Sequence, residues 1–213
     1  MKIKNKITVS FFLIVLAVPL LAFTWFRWYE SNVAALPFFG KNYTIDAADK
    51  THVKVPDFNF TDQDSSAING SFIKNKVWVV HFFFTSCPSI CPKMIANLKL
   101  VQDEYGNDDR LKILSLTVDP KYDTPSRLKW YCRRKGINTR QWALATGSKK
   151  DLYGFARKAL FIDATDGDGG EGDFIHSDKL VLIDRDLHIR GYYDGTDNAD
   201  VEQLIKDIKK LEN

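Results

Sequence analysis

FFFTSCPSICPKM, residues 82–94, sets Cys87 and Cys91 directly behind an apolar run, with three residues between them. The run KVWVVHFFF, 76–84, suits a central strand buried on both faces. From Ser89 to about Tyr105 the apolar residues Ile90, Met94, Ile95, Leu98 and Val101 recur at helical spacing. The reading is strand, cysteine turn, helix. Working outward, LKILSLTV (111–118) reads as a strand, the residues after DPKYDTP (about 125–135) as a helix, QWALAT as a strand and SKKDLYGFARKAL as a helix. The stretch VPDFNFTDQDSSAINGSF, 55–72, alternates around a turn-rich middle and predicts an N-terminal hairpin. KLVLID and IRGYY around RDLH predict a second hairpin, and NADVEQLIKDIKKL an amphipathic closing helix. This order predicts an α/β domain with a mixed, largely parallel sheet and helices on its faces.

The excess of positive charge comes from the N-terminus. Setting aside Lys2, Lys4, Lys6 and Arg27 from the 30 basic residues leaves 26 against 27 acidic. A nucleic-acid partner needs a basic excess in the folded body, and none is present. Residues 7–26, ITVSFFLIVLAVPLLAFTWF, are twenty positions without charge, enough as a helix to cross a hydrocarbon core of about 30 Å. The lysines ahead of it predict a cytoplasmic N-terminus, residues 1–6, and a body on the far face, with Trp25, Trp28 and Tyr29 at the interface. Bulky aromatics stand where a signal peptidase needs small residues, so an uncleaved anchor is expected. Residues 27–50 then read as a linker and 51–213 as one folded domain.

Only three cysteines serve a domain expected outside the cytoplasm: Cys87, Cys91 and Cys132. That is too few for a disulfide scaffold, so the 87/91 pair is expected to be reactive or metal-binding. A sulfur at a helix start is held toward thiolate by unpaired amides and the helix dipole, which predicts two nucleophilic, metal-competent sulfurs. If the intervening turn is helical, positions i and i+4 share a face and converge on one ion. A dithiol exchanger of the thioredoxin type carries C-x-x-C and a proline before the late hairpin strand. Here the spacing is one residue longer, the last proline is Pro125, and His176 stands in the comparable place. Two sulfurs and an imidazole suit both Cu(I) and Cu(II). Redox chemistry and metal binding both stay open.

Other candidates read more plainly. His81 lies inside the apolar strand and is expected to be a hydrogen-bonded core residue; His52 and His188 are expected to be solvated. Met94 reads as core, and Cys132 in LKWYCRRKG as buried and inert. The acidic glycine-rich loop 163–174 lacks a calcium-loop pattern and is expected to carry His176 toward the cysteines.

With these residues in view, the chain resembles the Sco/SenC family, thioredoxin-fold proteins that help assemble the binuclear copper centre of cytochrome c oxidase. The matching stretches are VPDFNFTDQD (55–64), FFFTSCPSICPKM, LSLTVDPKYDTPSRLKWY (114–131) and DFIHSDKLVLIDRDLHIRGYYDGT (173–196). The resemblance implies a thioredoxin-like fold with an N-terminal hairpin extension behind one transmembrane helix, anchored in a bacterial cytoplasmic membrane with the domain on the periplasmic or extracytoplasmic side. It implies copper ligands Cys87, Cys91 and His176, a redox-active Cys87–Cys91 pair, and a structural role for Asp119 to Pro125. The implied partner is the copper-bearing oxidase subunit. A reductase that keeps that subunit's cysteines reduced, a redox sensor, and recycling by a thioredoxin-like reductant are the alternatives it leaves open. A peroxiredoxin-type peroxidase would need threonine three residues before the reactive cysteine, and Phe84 stands there.

Overall fold

The computed structural model describes residues 2–32, 35–40, 53–106, 108–162 and 177–212. It divides into two units, Met1–Ala35 and Leu36–Asn213. In the first, helix α1 (Lys2–Asn32) contains Phe11–Tyr29, long and apolar enough to cross a membrane. Residues 11–29 are exposed, with Trp25 stacked on Tyr29. Pro19 lies inside the helix, where it removes one backbone donor.

The second unit is built on seven strands: β1 (Asn59–Asp62), β2 (Ala67–Asn69), β3 (Val77–Phe83), β4 (Leu111–Thr117), β5 (Trp142–Thr146), β6 (Lys179–Ile183) and β7 (Ile189–Asp194). Their order is β2-β1-β5-β4-β3-β6-β7. β3, β4 and β5 are parallel, and the two hairpins add antiparallel pairs at either edge. The mixed α/β sheet with flanking helices and an N-terminal hairpin matches the expectation, but the sheet is not largely parallel: two strand pairs are parallel and four antiparallel, because a hairpin supplies each edge.

Every residue of β3 and β4 is buried, as continuous apolar runs require. Trp78, Val80 and Phe82 enter one core layer with the β1–β2 hairpin, the short helix α2 (Gly70–Ile73) behind it, helix α5 (Lys149–Gly154) and the π-helical turn Phe155–Ala159 that continues it. Val77, Val79 and Phe83 enter the other, with helices α3 (Ile90–Tyr105), α4 (Pro125–Lys135) and α6 (Asn198–Glu212). Met94, Ile95, Leu98 and Val101 form the buried stripe of α3, each contributing about 1.5–3 kcal/mol by leaving water. Met94 is fully buried, so it is core, as expected.

α4 carries its own start and stop. Thr124 caps it by accepting from the Arg127 N–H, Pro125 opens the first turn, and Gly136 closes it at φ 64°, a conformation glycine adopts without strain. Residues 35–40, inside the stretch read as linker, lie against β7. The Phe39 N–H donates to Ile189 O at 2.9 Å, and Arg190 donates to the carbonyls of Pro37 (3.0 Å) and Leu36 (2.5 Å). His188 departs from expectation. Its side chain is only 14% exposed, edge-on to the Phe38 ring at 5.3 Å, because this docked segment covers it.

Candidate metal centre

β3 ends at Phe83, and the chain reaches α3 through residues 84–89. Its neighbours are parallel β4 on one side and antiparallel β6 on the other, so the carboxyl end of β3 opens at a change of strand direction, where crevices form in such sheets. Cys87 lies in this connection, half-buried, its N–H donating to Phe84 O at 3.2 Å. Cys91 is the second residue of α3 and is buried. Both thiols are free; the Cys87 sulfur lies 3.9 Å from the Ser89 hydroxyl, and each cysteine shifts the other's proton affinity. The connection is not helical, so the sulfurs do not meet by sharing a helix face.

The two sulfurs also differ, against the expectation that both are held toward thiolate. Partial burial raises the Cys87 thiol, but hydrogen bonds from the backbones and side chains of Cys91 and Ser89 outweigh it and hold Cys87 below its ordinary value. Burial pushes Cys91 up to about 12, with the neighbouring Cys87 adding to the shift. Cys87 is therefore the exposed nucleophile and Cys91 the sheltered thiol behind it.

The loop is held from beneath by a residue the sequence reading left without a specific role. Asp123, fully buried, accepts from the Thr85 N–H at 3.0 Å, the Thr85 hydroxyl at 2.5 Å and the Thr117 hydroxyl at 2.6 Å. Arg127 donates to Thr85 Oγ1 at 3.1 Å, and the Asp119 N–H to Thr117 Oγ1 at 3.0 Å. The segment from Asp119 to Pro125 thus braces the turn that carries Cys87. Its sequence signal was an acidic residue placed directly before a Thr-Pro helix start.

Among the described residues no three His, Cys, Asp or Glu side chains come together as a metal site. Cys87 and Cys91 lie near each other beyond the end of β3. His176 and the loop 163–174 lie outside the described residues, as does His52. Ser177, the residue after His176, lines a narrow crevice with Cys91, Phe84 and Ile90. His81 is fully buried, its Nε2 at 2.5 Å from the Ser115 hydroxyl, and Cys132 is buried with its thiol pushed up to about 12 by that burial. Both are core residues, as read.

Two soft sulfurs, one accessible and one sheltered, at the mouth of a mixed sheet define the donor set. The profile of the SCO1/SenC family matches residues 46–213. The chain belongs to the SCO1/SenC family. It is 29% identical over 163 residues to the SCO1 protein homolog of Bacillus subtilis, covering 76% of this chain and 84% of that one. BsSco, a member of the Sco family of cytochrome c oxidase assembly proteins in which a disulfide switch was identified, matches at 28% identity and a TM-score of 0.65, covering 78% of this chain and 96% of its own. ScoI of Bradyrhizobium japonicum, solved with copper bound, shares the fold at 22% identity and a TM-score of 0.60, over 75% of this chain and 99% of its own. The sheet is thus thioredoxin-like, as expected of the Sco proteins.

Proposed function

We propose that this Sco protein is a membrane-anchored copper metallochaperone that binds copper through Cys87, Cys91 and His176 and serves assembly of the binuclear copper centre of cytochrome c oxidase. The observation that carries the reading is the crevice that Ser177, next to His176, lines together with Cys91, with Cys87 near enough to Cys91 for each to shift the other's proton affinity. The donor chemistry fits: thiolates suit Cu(I), and an added imidazole suits Cu(II). Copper is the cargo. The chain's part is to hold two sulfurs close on a braced turn and to leave Cys87 accessible to a recipient's ligands. Helix α1, with Lys2, Lys4 and Lys6 ahead of its apolar segment, would keep the domain on the extracytoplasmic face of the bacterial cytoplasmic membrane.

The difference between the two thiols favours a second reading, a reductase for the oxidase subunit's cysteines. An accessible nucleophile attacks a disulfide, and a sheltered neighbour then resolves the mixed disulfide. One variant separates the two. In His176→Ala of the detergent-solubilised full chain, Cu(II) affinity is expected to fall by at least ~10–100-fold, as loss of ligand support does, while Cu(I) remains on the sulfurs. Sulfur-to-copper charge-transfer absorption follows the titration, beside oxidase assembly in cells. Undiminished Cu(II) binding removes His176 from the site. Weakened Cu(II) binding with normal oxidase assembly favours the reductase.

A further inference from the structure

Cys87 borders a second opening, distinct from the Ser177 crevice. It is a cleft of about 280 Å³ whose walls include Cys87, Pro92, Trp130, Tyr131, Arg134 and Lys135. Trp130 is 43% exposed, yet its ring is gripped by two guanidinium groups, Arg127 at 4.2 Å and Arg134 at 5.3 Å. Lys135 lies over the Tyr131 ring at 5.5 Å. Neither Arg134 nor Lys135 makes an ion pair among the described residues. α4 contains no carboxylate, and the first turn of α3 contains none; Asp123, the carboxylate felt at Tyr131, is fully buried and bonded to Thr85 and Thr117. An aromatic floor flanked by cations that form no ion pair among the described residues therefore sits directly beside the reactive sulfur.

From this geometry we infer that the cleft is the docking groove for an acidic segment of the partner, one that carries carboxylates next to the cysteine presented to Cys87. The inference rests on the reading of Cys87 as the site's accessible sulfur and deepens it. Whether copper or a disulfide passes, a partner's sulfur must reach Cys87, so the residues flanking that sulfur must lie on whatever flanks Cys87. The walls select for charge: carboxylates meet Arg134 and Lys135, while the neighbouring backbone lies on Trp130, whose ring is held in place before the partner arrives. The volume suits a few side chains of an extended segment.

The test uses the reduced full chain in nonionic detergent and two hexapeptide probes, Gly-Cys-Glu-Glu-Ser-Gly and Gly-Cys-Lys-Lys-Ser-Gly, each with its cysteine disulfide-bonded to thionitrobenzoate. Cys87, losing its proton to buffer, attacks the peptide sulfur; the peptide–thionitrobenzoate S–S bond breaks, and coloured thionitrobenzoate leaves with the electron pair. The mixed disulfide so formed is then opened by Cys91, which releases the peptide thiol. Each rate is normalised to that of an uncharged dipyridyl disulfide, which reports Cys87 alone. The glutamate peptide is expected to react ~10-fold faster than the lysine peptide at low salt, an advantage that shrinks as salt is added. In the double variant Arg134→Gln/Lys135→Gln, at one exposed and one half-buried position, the ratio should drop to about 2 or below. Trp130→Ala should slow both peptides against the neutral reagent.

Equal peptide rates in the unmodified chain overturn the proposal. So does a retained ratio in the double variant. Binding of phosphatidylglycerol vesicles that the double variant loses, without any peptide preference, would assign the patch to an anionic membrane surface instead. Cu(I) stoichiometry measured on the same samples keeps the two readings apart, because loss of copper binding condemns the metal site while a peptide preference that persists upholds the groove.

Discussion

Asp123 shows how one carboxylate can set a site it does not enter. Its two oxygens accept three hydrogen bonds from Thr85 and Thr117 in a fully buried position, and Thr85 is two residues before Cys87. Asp123→Ala would leave the Thr85 amide and both hydroxyl protons without their acceptor. Bonds to a charged acceptor contribute about 1.5–3 kcal/mol each, so a loss of roughly 2–4 kcal/mol is expected after relaxation. Urea unfolding checks the stability, and hydrogen exchange at the Thr85 amide checks the cause: exchange there should speed up more than in β4. Unchanged exchange at Thr85 would mean that the turn is braced by something else. The same scale explains the unequal cysteines. Both belong to one motif, yet the helix start buries Cys91 while local donors surround Cys87.

At the scale of elements, the strap of residues 35–40 on β7 depends on one side chain. Arg190 joins the Leu36 and Pro37 carbonyls to Asp184 Oδ2 at 2.9 Å and lies over the Phe38 ring at 4.0 Å. Asp184 also accepts from the Asp186 and His188 amides, so the tight turn and the strap share one acceptor. Arg190→Ala removes every one of the arginine's contacts and uncovers His188. Breaking such a largely buried pair costs about 3–5 kcal/mol. Chymotrypsin should then cut faster beside Phe38 and Phe39 in the full chain. Cleavage at the original rate would show that the Phe39–Ile189 bridge alone holds the strap. α4 behaves differently, since its cap, opening proline and closing glycine are all local, and its boundaries were readable from residues 124–136 alone.

At the scale of the whole molecule, the buried His81 couples stability to acid. It sits in the centre of the sheet, bonded to the Ser115 hydroxyl, which the Trp142 indole N–H also reaches at 2.7 Å. Burial lowers its pKa from 6.5 to about 3, so below pH 6.5 the unfolded chain takes up a proton that the folded one refuses. Stability is therefore complete above about 6.5 and falls toward pH 3, by up to about 1.4 kcal/mol per pH unit. The gap in unfolding free energy between the protein and His81→Gln, followed from pH 7 to 4, should move in favour of the variant; a constant gap would refute the assignment. Strand and helix order, the hairpins, the apolar N-terminal helix and the 87/91 pair were legible in sequence, because hydrophobic periodicity, caps and charge-free length act between residues near each other in the chain. The inequality of the two sulfurs, the brace from Asp123 to Thr85, the docking of residues 35–40 and the cationic walls beside Cys87 were not. Each depends on burial or on partners dozens of residues away, and desolvation and long-range hydrogen bonds exist only once the sheet has brought those residues together.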